Sequence, residues 1–137
     1  MKTDYIKRYY DVFLSSSTSD RAWNRRFADA LTQRGLRVFT PDESMGSGAT
    51  IEDSVRAGLS SSSSVIVVID ASTVSSPWSA FEVGAALGSG KTVVPVLASD
   101  VRGDQIPEYL RSFQAIPKED DPERAAERVV TVLKGAV

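Results

Sequence analysis

Five consecutive apolar residues, Val65-Ile66-Val67-Val68-Ile69, constrain the fold of this chain more than any other stretch. A strand with one face in water alternates apolar and polar side chains. An unbroken β-branched run instead suits the middle of a parallel sheet that is covered on both faces. Other β-favouring runs supply neighbours for such a strand: Tyr10 to Leu14, Leu36 to Thr40, Thr92 to Leu97, and a weak edge near Gln114 to Ile116.

Helical spacing fills the intervals. After the turn-rich cluster Ser15 to Asp20, Trp23, Phe27, Ala30 and Leu31 fall at i, i+4, i+7 and i+8, and Gly35 marks the stop. Thr50 followed by Asp53 resembles a capping box ahead of a stripe of Ile51, Val55 and Leu59. Ser75 or Ser76 can cap a third helix with Pro77 at its first position, where the missing N–H has no partner to lose. Ile106 to Phe113 reads as a short helical or irregular segment. Asp121 and Pro122 repeat the cap-then-proline pattern before Ala126, Val129, Val130 and Leu133. Two local features are less regular. The serines from Ser60 to Ser64 read as a polar connection into the central strand, and Pro95 predicts a bulge or the last hydrogen-bonded pair of its own strand.

Strands alternating with helices at short spacing predict a single α/β domain over 1–137, with a core of about 8–134. Its expected form is flavodoxin-like: a three-layer domain whose five-stranded parallel sheet, in the order 2-1-3-4-5, is flanked by helices. That order puts the topological switch point between strands one and three, and ligands bind beyond the carboxyl ends of the strands there. The serine loop from Ser15 to Ser19 and the segment Ser75 to Glu82 then border one crevice, with the loop Pro41 to Gly48 able to fold over it. Trp78 and Glu82, four apart, share a helix face, setting a flat ring beside a carboxylate. Elsewhere such a pair would be ordinary, a core tryptophan and a glutamate favoured by the helix dipole. At a switch point it becomes a candidate site.

Composition narrows the chemistry. Cysteine and histidine are both absent, which removes disulfides, thiolate nucleophiles, the usual zinc ligands and the imidazole base. No metal site is expected. The formal net charge is −2 with lysine and arginine dispersed, so no basic block suggests nucleic acid as a direct partner. No apolar run approaches the roughly 20 residues that span a bilayer, and the polar start Met1 to Arg8 lacks a signal-peptide pattern. A cytoplasmic location without membrane association is the expectation.

These residues carry a resemblance across essentially the whole chain to a TIR (Toll/interleukin-1 receptor) domain of the bacterial type. Tyr10-Asp11-Val12-Phe13-Leu14-Ser15 matches the first box. Val38-Phe39 with the loop Pro41 to Gly48 matches the second, and Ser76-Pro77-Trp78-Ser79-Ala80-Phe81-Glu82 carries tryptophan four before glutamate. The third box is reduced to Arg111-Ser112-Phe113 with no tryptophan after it. The resemblance implies an NAD+-cleaving branch in which Glu82 is the catalytic residue and Ser15, Ser16, Gly46, Pro77 and Trp78 line the substrate site. NAD+ is then substrate rather than cofactor, and no cofactor is expected. Where animal relatives carry an aromatic and basic residues after the first-box serine, this chain has Ser16, Ser17 and Thr18. Phosphate contacts from that loop would have to come from hydroxyls and backbone N–H groups.

Residue chemistry is compatible with this. Nicotinamide leaves as a neutral pyridine, so the general acid of ordinary glycoside hydrolysis is not required, and one carboxylate below C1 of the ribose suffices. Trp78 could stack on a planar base, and free amides at the Pro77 helix start could meet the pyrophosphate. Water as acceptor gives ADP-ribose, and a ring atom of the same molecule gives a cyclic isomer. The resemblance also implies self-association, partners within a bacterial immune or stress pathway, and the alternative of a non-catalytic TIR–TIR interaction module. A phosphoacceptor receiver would share the strand order and use Asp70, but it needs further acidic residues after strand one, where Ser15, Ser16 and Ser17 stand.

Overall fold

The computed structural model describes residues 10–16, 20–40, 61–70, 90–102 and 115–135. Five strands form one sheet: β1 (Tyr10–Ser15), β2 (Val38–Phe39), β3 (Ser62–Ile69), β4 (Thr92–Leu97) and β5 (Ile116–Pro117). Every pairing is parallel and the order is β2-β1-β3-β4-β5, as expected from the apolar run now lying in the central strand β3.

Two described helices pack on one face of this sheet. Helix α1 (Arg21–Gln33) starts where the Asp20 carboxylate accepts the Trp23 backbone N–H at 3.2 Å, and it ends before Gly35, whose φ of +91° suits a residue without a side chain. Helix α2 (Pro122–Gly135) starts at the Asp121–Pro122 pair, with the Asp121 carboxylate accepting the Glu123 N–H at 3.0 Å. Trp23, Phe27, Ala30 and Leu31 of α1 and Ala125, Ala126 and Val129 of α2 bury against Val12, Leu14, Ile66, Val68, Val94, Val96 and Ile116. Each large side chain fully buried there contributes on the order of 1.5–3 kcal/mol. Residues at alternate positions, Phe13, Val65, Val67 and Val93, are at most 3% exposed, so the opposite face of the sheet is covered as well.

Strand β3 begins earlier than the sequence suggests. Ser62, Ser63 and Ser64 belong to it, with Ser62 paired to Tyr10 and Ser64 paired to both Val12 and Thr92. The Lys91 ammonium donates to the Ser62 carbonyl at 2.7 Å, and neighbours on both sides supply ladder bonds that serine's weak β preference does not.

Pro95 is neither a bulge nor the end of a ladder, because the pairing of β3 with β4 runs unshifted from Ser64–Thr92 to Ile69–Leu97. The Ala98 N–H bonds to Ile69 of β3, whereas the Leu97 carbonyl accepts from Lys118 beyond β5. Backbone groups of alternate residues point to opposite neighbours, so the N–H that Pro95 lacks would face the β5 side. Pairing with β5 begins one residue later, at Val96 and Ile116, and no ladder bond is lost.

At the other edge, the Arg37 carbonyl accepts from the N–H groups of Asp11 and Val12, while its own N–H donates to the Asp11 carboxylate at 2.8 Å. Among the described residues no helix is long and apolar enough to cross a membrane. The expected helix after Thr50, the loop Pro41 to Gly48, the helix beginning at Pro77 and the segment Ile106 to Phe113 lie outside the described residues.

Candidate functional site

The switch point lies where the sequence predicts it, between β1 and β3. Ser15 is the last residue of β1, paired with Val67 and 5% exposed. Alternation with Phe13 directs it to the sheet face opposite α1. Ser16 follows at the carboxyl edge and is exposed. Of the expected site residues these two are therefore adjacent at the carboxyl end of β1, beside the switch point. Gly46, Pro77, Trp78 and Glu82 lie outside the described residues.

The same carboxyl edge holds a feature that local spacing did not reveal. An open cavity of about 510 Å³ lies beyond the ends of β3, β4 and β5 and reaches the start of α1. Five acidic residues line it, Asp20, Asp70, Asp100, Glu119 and Asp120, and Lys118 is the one basic residue among its described lining residues. Asp70, the candidate phosphoacceptor of the receiver alternative, is 9% exposed there.

Lys118 ties this region together. Its ammonium is 3.4 Å from the Asp20 carboxylate and 4.7 Å from the centre of the Trp23 ring. The Trp23 indole N–H donates to the Glu119 carbonyl at 2.8 Å, and the Glu119 carboxylate pairs with Arg128 of α2 at 3.0 Å. The segment after β5 is thereby joined to the start of α1 and to the middle of α2. A signal existed in the sequence, the charged run Lys118-Glu119-Asp120-Asp121 directly after the last strand, but the partners Asp20 and Trp23 stand nearly a hundred residues away.

A family model described as a TIR domain matches residues 12–130. Among curated proteins, the probable 2' cyclic ADP-D-ribose synthase TcpO of Methanobrevibacter olleyae is 29% identical over 77 residues, 56% of this chain and 23% of its own length. The stimulator of interferon genes protein of Magallana gigas is 29% identical over 118 residues, 82% of this chain and 28% of its own. The chain thus spans about a quarter of the length of these two relatives. Among solved structures, the TIR domain of the Toll-related receptor TRR-2 from Hydra magnipapillata has a TM-score of 0.72 at 18% identity, covering 89% of this chain and 95% of that one, a likeness of fold alone. With a matched region that begins in β1, ends in α2 and contains β2 to β5 between them, the chain belongs to the TIR domain family.

Proposed function

We propose that this TIR domain cleaves NAD+ at the nicotinamide–ribose bond. The observation that carries the reading is the likeness to a relative named as a probable cyclic ADP-ribose synthase, within a family match spanning the sheet. The position of Ser15 and Ser16 at the switch point supports it, because nucleotides bind at such edges of parallel sheets. In this reading Glu82 is the catalytic carboxylate, stabilising an oxocarbenium-like transition state or bonding to it. Ser15, Ser16, Gly46, Pro77 and Trp78 line the site. The products are nicotinamide with ADP-ribose or a cyclic isomer, and the name of the relative makes the cyclic isomer the first to seek. The setting is cytoplasmic immune or stress signalling, with self-association raising activity.

Mass spectrometry of NAD+ incubated with this protein and with Glu82→Gln tests the reading. Nicotinamide released by the wild type and not by a folded variant is the expected result. Equal release by both removes Glu82 from its role. No release at any protein concentration leaves a TIR–TIR interaction module.

A further inference from the structure

We draw no further inference here: the strongest candidate, the open cavity beyond the ends of β3, β4 and β5 lined by Asp20, Asp70, Asp100, Glu119 and Asp120, is a cluster of acidic residues, and nothing among the described residues shows what ligand it would hold.

Discussion

The indole N–H of Trp23 donates a 2.8 Å hydrogen bond to the backbone carbonyl of Glu119, joining the first helix to the end of the fifth strand across 96 residues of sequence. The same ring stacks on Phe27 at 4.7 Å and carries the Lys118 ammonium on its face. Trp23→Phe keeps an aromatic body and deletes the donor, so it should destabilise the domain by about 1–3 kcal/mol. Urea unfolding with an unchanged slope and a lower midpoint would show this, and an unmoved midpoint would refute it.

Asp11 and Arg37 clasp β1 to the start of β2. Burial pushes the Asp11 carboxyl up, but the Arg37 backbone N–H bond, its guanidinium hydrogen bonds and its charge outweigh burial and hold the group below its ordinary value of 3.8. A carboxyl lowered in the folded state adds stability at pH values above that ordinary value and loses it as pH falls through the lower folded value. Both side chains are well exposed, at 61% for Arg37 and 36% for Asp11, so screening keeps the contribution at about 0.5 kcal/mol. Asp11→Asn should be less stable than wild type at neutral pH, with the difference shrinking in strong acid. A difference that persists there would assign the effect to packing.

Gly35 ends α1 at φ +91°, and a Cβ built on it meets nothing within 4 Å. The cost of Gly35→Ala should therefore be conformational alone, on the order of 1 kcal/mol. Thermal unfolding with no change in the rest of the circular dichroism spectrum is the expected outcome. A stabilised variant would mean that the terminus relaxes out of the left-handed region.

The Thr40 hydroxyl, directly after β2, is buried and has no hydrogen-bond partner among the described residues. A polar group already unsatisfied contributes nothing by being there, so Thr40→Val should be neutral or stabilising by up to about 1 kcal/mol, against the usual loss for this substitution. A clear drop in the urea midpoint would reveal a partner for the hydroxyl in solution.

If self-association raises activity, nicotinamide release per molecule should fall on dilution through the concentration range where the protein passes from oligomer to monomer, as followed by light scattering. Specific activity that stays flat across that range would remove assembly from the mechanism.

Much of the frame can be recovered from spacing between near neighbours. The run Val65 to Ile69 lies in the central strand, Trp23, Phe27, Ala30 and Leu31 bury one stripe of α1, and Asp121 with Pro122 starts α2. These follow because helix and strand periods, caps and stops are set by residues within a turn or two of each other. Ser15 and Ser16 at the switch point also follow, once strand order is inferred from alternation.

What the amino-acid sequence determined by itself is this succession of elements and the strand order that sets the switch point. Tertiary structure alone decided that three serines continue β3, that Pro95 sits harmlessly inside β4, and that Lys118 closes on Asp20 beside Trp23. The physical reason is range. A serine gains strand geometry from partners on β1 and β4, a proline is tolerated where the next strand has not yet begun, and an ammonium finds its carboxylate 98 residues away only after the sheet has brought both ends together.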